Sequence, residues 1–352
     1  MMRRLSVLLL VAAVLAGCTV APSRPRGQAP PPSTPPSPAS SLSAGPPADA
    51  VVHTSDPYIG LAAMLHARHV RIWWETDLVA RWLEGPAAFD AAVTRLGRLA
   101  QVPGTVGFKV ADEIGYGDGL RSPDDVARFL TDAHQALARV APGKRLLVDA
   151  IVPDLGCLPW RGDEQQSCVD AARRDYPAAT IDAMTRYLHS GMLDNLDLST
   201  GLLDASFYAS RGLTVRQAQQ EAWAHVVSWG WAGLTTLQAR KALAAAGGYQ
   251  GSAADAAADT AVYVDVPVAS GATAVDIWTW RQSYDGQTVS LLDAGLAANP
   301  LWTSLLRLRG SGVHLFTHMT PSQLPTSPTA YAHECDLAAA AFTDVFVAAG
   351  TG

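Results

Sequence analysis

From residue 51 onward, short strand-like runs alternate with helix-like runs, and this alternation constrains the fold more than any other feature of the chain. HVRIWW at 69–74, VGFKVA at 106–111, LLVDAIV at 146–152, LDNLDL at 193–198 and ATAVDIWT at 272–279 read as strands. Segments 231–237 and 313–316 are further strand candidates, the latter as the closing strand. Residues 51–53 are the candidate for an eighth. Between them, 59–66, 87–99, 122–140, 176–189, 214–228, 253–269 and 300–308 carry apolar residues at helical spacing, and a last helical region opens at Ser327 or Thr329 and reaches Val347. Ser122-Pro123-Asp124-Asp125 has the form of a helix start, Thr214 caps another, and Pro267 should kink or end its helix. Strands alternating with helices of 10–15 residues point to a parallel sheet. The expected class is therefore α/β, a TIM-barrel-like (β/α)8 fold with room for irregular elements. No GxGxxG follows the first strand, and neither GxxxxGK[ST] nor GxSxG occurs. These absences argue against a dinucleotide fold, a P-loop fold and an α/β-hydrolase.

The first 50 residues read differently. Arg3 and Arg4 precede LSVLLLVAAVLA, an uncharged run of 5–16 that is too short to span a hydrocarbon core of about 20 residues. LAGC at 15–18 resembles the bacterial lipobox, which implies cleavage before Cys18 and acylation of its thiol. Pro22, Pro25, Pro30, Pro31, Pro32, Pro35, Pro36, Pro38, Pro46 and Pro47 then crowd a stretch with little to bury, so 18–50 is expected to be a lipidated, extended tether. The domain plan is a signal peptide at 1–17, the tether at 18–50 and one barrel domain at 51–352. An exported chain on the outer face of the membrane, touching it only through lipid, is the expected location.

With 26 basic and 32 acidic side chains the net charge is −6, and no basic run offers a footing for nucleic acid. Cys157 and Cys168 lie in a polar stretch of an exported chain, so a disulfide between them is expected. That leaves Cys335 as a buried thiol, although pairings with Cys335 stay open. No CxxC or HExxH occurs. No metal and no cofactor are expected, and His314 and His318 receive no role.

In a barrel, chemistry sits at the C-terminal ends of strands. ADEIGYG follows VGFKV, so Glu113 or Asp112 should project into the mouth. Glu113 is the candidate proton donor, and Asp149 and Asp197 are candidate catalytic partners. Carboxylates facing each other across a sugar can divide acid and base or nucleophile roles between them. Glu75, Asp112, Trp74, Asp276, Trp278, Trp280 and Arg281 are candidate substrate-binding groups. Trp278 and Trp280, two apart in an extended run, would share one face and offer a platform for sugar CH groups. Each acid also has a structural reading, as a loop or helix cap, and each indole as core filling.

The lipobox, the tether, the strand ending in ADEIGYG and the late run DIWTWRQSYDG together resemble a secreted bacterial lipoprotein carrying a glycoside hydrolase-type barrel. The resemblance implies a carbohydrate substrate. In that group the acid/base residue often follows an Asn and a Glu serves as nucleophile; here Asp112 takes the place of the Asn, and the late strand offers Asp276. The expected function is a surface-anchored glycoside hydrolase acting on a cell-wall or environmental glycan. The alternatives are a barrel that binds glycan without cleaving it and a barrel hydrolase or lyase acting on another substrate, which a metal held by His and Asp would favour.

Overall fold

The computed structural model describes residues 56–239, 243–284 and 286–348. The signal peptide, Cys18, the tether and the strand candidate at 51–53 lie outside the described residues.

A closed barrel of eight parallel strands forms the centre. Helix α1 (Pro57–His66) leads into β1 (Arg71–Glu75), followed by α2 (Leu78–Glu84), α3 (Pro86–Leu99), β2 (Thr105–Lys109), α4 (Pro123–Val140) and β3 (Arg145–Ile151). Next come α5 (Gln165–Asp175), α6 (Ile181–His189), β4 (Asn195–Ser199), α7 (Ala205–Ala209), α8 (Val215–Ser228), β5 (Thr235–Gln238) and the short β6 (Ala245–Ala246). The chain continues through α9 (Ala253–Thr260), α10 (Val266–Ala269), β7 (Ala274–Ile277), β8 (Arg281–Tyr284), β9 (Gln287–Ser290), α11 (Pro300–Gly310), β10 (Leu315–Met319), α12 (Pro328–Ala341) and β11 (Asp344–Ala348). Around the barrel the order is β1-β2-β3-β4-β5-β7-β10-β11, and β11 returns to β1.

The expected helix starts are present in atomic detail. Ser122 Oγ accepts from Asp125 N, and Thr214 forms a reciprocal capping box with Gln217. The helix expected across 253–269 is present over that whole range, with a π segment at Ala261–Asp265 joining α9 to α10 just before Pro267.

Two expectations are corrected. The last helix stops at Ala341, and 344–348 is a strand. DVFVA is rich in β-branched and aromatic residues, and β11 pairs with β1 on one side and β10 on the other, so pairing outweighs any helical tendency. The closing strand is thus β11, and the run placed at 313–316 is its neighbour β10. A second feature had no sequence signal: β6, β8 and β9 form a small antiparallel sheet outside the barrel.

Burial divides by strand face. In β1, Ile72 and Trp74 belong to the large core between strands and helices, whereas Trp73 belongs to a separate cluster with Leu147, Ala274, Phe316 and Phe346. These five occupy alternate positions on β1, β3, β7, β10 and β11, so they fill the barrel interior as one apolar layer. Gly107 on β2 makes room for them, since a Cβ there would lie 2.7 Å from the Trp73 ring and 2.3 Å from the Arg145 carbonyl oxygen. The Trp73 indole N–H donates to Asp344 at 3.0 Å, and Arg71 pairs with the same carboxylate at 2.7 Å.

Candidate functional site

Two residues further along each strand, towards its C-terminal end, the interior changes character. Glu75 follows Trp73, Lys109 follows Gly107, Asp149 follows Leu147, Asp276 follows Ala274 and His318 follows Phe316. Asp197 on β4 is the register partner of Asp149, and Gln238 on β5 is the register partner of Asp276. Strand alternation therefore stacks a charged layer directly on an apolar one, at the end of the barrel where active groups are carried. Asp149, Asp197 and Asp276 are fully buried, Lys109 is 1% exposed, and Glu75 retains 21% exposure of its side chain.

Lys109 and His318 organise the layer. Lys109 Nζ lies 2.8 Å from Glu75 Oε1, 3.5 Å from Asp149 Oδ2 and 3.7 Å from Asp112 Oδ1. His318 bridges two carboxylates, with Nδ1 2.8 Å from Glu75 Oε2 and Nε2 2.7 Å from Asp276 Oδ2. Burial alone would raise the Glu75 pKa, but His318 and Lys109 outweigh it and hold that carboxyl well below its usual range. Burial would likewise lower the His318 pKa, but Asp276 and Glu75 push it up to about 9. Lys109 is also raised, because Glu75 and Asp149 overcome its desolvation.

Asp197 stands apart. Burial, then the Asp276 and Asp149 carboxylates, push its pKa well above the ordinary value. Its one side-chain hydrogen-bond partner among the described residues is the Asp276 carboxyl, and both polar atoms of the Gln238 amide are unpartnered among those residues. An unmade buried hydrogen bond costs about 1–3 kcal/mol, so a buried amide with neither atom bonded, beside two crowded carboxyls, is an arrangement that calls for an explanation.

Of the residues singled out in the sequence, Glu75, Asp149, Asp197 and Asp276 all belong to this layer. Asp112 lies at its rim, 66% exposed and within reach of Lys109. Glu113 sits in the turn beyond β2 with φ at +54°, half-buried, and its Oε2 is 3.4 Å from where a Cβ on Gly117 would lie.

The indoles separate. Trp74 faces the helix layer, where its N–H donates to the Leu99 carbonyl oxygen and Thr105 Oγ1 at 3.1 Å, so it is a core residue. Trp280 is also buried, with its N–H 2.8 Å from Glu334 Oε2, and Arg281 pairs with the same carboxylate. Trp278 is half-buried and meets Tyr284 edge to face at 5.5 Å. The expectation that both indoles share one face therefore fails. β7 ends at Ile277, so strand alternation does not extend through 278–280. Cys157 and Cys168 form the expected disulfide with Cα atoms 5.6 Å apart, and Cys335 is a buried free thiol in α12.

Sequence reading missed Lys109, His318 and Gln238. One signal was present: each follows an interior residue by two within a short strand, the same offset that carries Glu75, Asp149 and Asp276.

No protein family matches the chain, and no curated protein does. Among solved structures, a complete multifunctional pyruvate carboxylase from Rhizobium etli aligns with 83% of this chain and 24% of its own, at 14% identity and a TM-score of 0.39. The carboxyl transferase domain of Rhizobium etli pyruvate carboxylase with pyruvate and biocytin aligns with 83% of this chain and 41% of its own, at 13% identity and a TM-score of 0.41. The chain thus covers well under half the length of these proteins. The (β/α)8 barrel assignment stands on the strand order itself.

Proposed function

We propose that this chain is a surface-anchored glycoside hydrolase whose sugar-binding floor is the charged layer inside the barrel. The observation that carries the reading is the buried Gln238 amide, unpartnered among the described residues, beside the crowded Asp197 and Asp276 carboxyls. A sugar is a polyol, and each hydroxyl can both donate and accept. Its oxygens can accept from a protonated Asp197, its O–H groups can donate to Asp276, and the Gln238 amide can answer in either direction. Trp278 at the end of β7 offers an aromatic edge for the apolar CH face of a ring.

In this reading Asp149, beside the Lys109 ammonium, is the ionised carboxylate of the reaction. Glu113, on the turn beyond β2, delivers the proton to the glycosidic oxygen as the bond to the anomeric carbon breaks. A water oxygen bonds to that carbon as its proton passes to Asp149; Asp149 then releases a proton to solvent and Glu113 takes one up, which restores both groups. The lipobox and proline-rich tether would hold the domain clear of the membrane, with Cys18 carrying the lipid.

The test is release of reducing ends from a broad panel of glycans by the full chain, beside Asp149→Asn and Glu113→Gln. Release by the wild type that falls at least 100-fold in both variants is expected, the size typical of lost acid–base catalysis. Unchanged turnover in Glu113→Gln removes it as the proton donor. Wild-type protein that binds glycans but cleaves none would be a carbohydrate-binding barrel instead, and absence of both binding and release would end the proposal.

A further inference from the structure

We propose that Asp197, Asp276 and His318 form a binding site for one divalent metal ion, with Gln238 as a further ligand. One ligand atom from each of Asp197, Asp276 and His318 can be chosen so that all lie within 4.8 Å of one another, and all three residues are buried. Bonds of about 2.0–2.2 Å place ligand atoms on opposite sides of an ion roughly 4 Å apart, so a small inward movement closes this group around one.

The surroundings have the features that a metal site requires. A ligating histidine commonly gives its second ring N–H to a carboxylate, which fixes the ring and its tautomer. Here Glu75 holds Nδ1 at 2.8 Å and leaves Nε2 to face the two aspartates. An ion would replace the proton that now lies between Nε2 and Asp276 Oδ2. A second, independent observation comes from Gln238. It is 3% exposed, sits in register with Asp276 on the adjacent strand, and has neither amide atom hydrogen-bonded. Its carbonyl oxygen is a suitable donor, as are the Asp197 oxygens once the ion displaces the proton shared with Asp276. With the His318 proton displaced, the Asp276 carboxylate is free to turn either oxygen to the ion.

One imidazole nitrogen among carboxylate and amide oxygens suits Mn2+ or Zn2+ better than Ca2+, which prefers six to eight oxygens. Four ligands contributed by β4, β5, β7 and β10 explain why no local sequence spacing announces the site. The metal site stands without the glycan reading. If that reading holds, an open position on the ion would take neighbouring sugar hydroxyls.

The test uses the full chain stripped with chelator and titrated calorimetrically with Mn2+ and with Zn2+, in the absence of any glycan. One equivalent should bind with Kd of about 10 µM or tighter, which corresponds to roughly 7 kcal/mol. Asp197→Asn and His318→Gln should each weaken binding at least tenfold. Because a core variant can fail to fold, the wild-type Mn2+ complex is also read by pulsed EPR, where coupling to a directly bound nitrogen is expected. No saturable binding by the wild type, equal affinity in folded Asp197→Asn, or no nitrogen coupling overturns the site. A protein that binds one ion but cleaves no glycan would sink the hydrolase reading and leave this one intact.

Discussion

Asp149 on β3 and Asp197 on β4 are register partners, yet Lys109 reaches Asp149 at 3.5 Å while Asp197 faces the Asp276 carboxyl. Two carboxylates on adjacent strands thus sit in opposite electrostatic settings. One has a cation beside it; the other is buried against further carboxylates and driven towards its protonated form. Pairs of carboxyls whose surroundings push them apart in this way are typical of ligand and catalytic sites.

The Lys109 ammonium is 1% exposed and serves Glu75 and Asp149 together. Removing one partner of a buried ion pair typically costs about 3–5 kcal/mol, because the remaining charge is stranded. Lys109→Met should lose about that much at pH 7 in urea unfolding. A loss below about 1 kcal/mol would mean that the barrel interior is far better hydrated than its burial implies.

Asp118 supplies a pH test away from the barrel interior. Burial pushes its pKa up to about 6, with Oδ2 unpartnered while Oδ1 accepts from Leu120 N at 3.0 Å. The folded chain therefore binds this proton more tightly than the unfolded chain, whose value is about 3.9. Its stabilising contribution is fully present below about pH 4 and is lost as pH rises through about 6. Asp118→Asn should remove this component and raise the melting temperature by a few degrees at pH 7, with little change at pH 4. An equal shift at both pH values would contradict the assignment.

The two late indoles should respond differently to truncation. Trp280→Ala removes a buried ring and one of the two partners of Glu334, leaving Arg281, so it should cost about 3–5 kcal/mol of stability. Trp278→Ala should cost about 1 kcal/mol or less and raise KM for glycan with little change in kcat, as expected for a binding platform. Thermal unfolding and steady-state kinetics on both variants separate these roles. Equal destabilisation would contradict the division.

Much of the fold was legible because period-two and helical patterns survive in a single sequence. LLVDAIV and AVDIW read as strands and are β3 and β7. The final strand was hidden because DVFVA continues an alanine-rich helix after only two residues, and its pairing with β1 and β10 is non-local. The site was half legible. Acids at strand ends are conspicuous, so Glu75, Asp149, Asp197 and Asp276 could be named. Lys109 and His318 matter through contacts with other strands, Lys109 with Glu75 and Asp149 on its two neighbours and His318 with Glu75, 243 residues away, and no local spacing reports such contacts. The paired-indole platform failed for the opposite reason, since a local pattern was extended past the end of its strand.

The reading of the N-terminus makes its own prediction. If Cys18 carries the lipid, Cys18→Ser should move the protein from the membrane fraction to the soluble fraction of the producing cell, with the barrel still folded. A variant that stays with the membrane would contradict lipid anchoring at this residue.

The most direct test of the central claim is calorimetric titration of the full chain with an oligosaccharide that the wild type cleaves, using Asp149→Asn to prevent turnover and then adding Gln238→Ala. If the unpartnered layer grips the sugar, the second substitution should weaken binding about tenfold or more, roughly 1.4 kcal/mol, with the melting temperature unchanged or raised. Identical affinity with and without the Gln238 amide would contradict it.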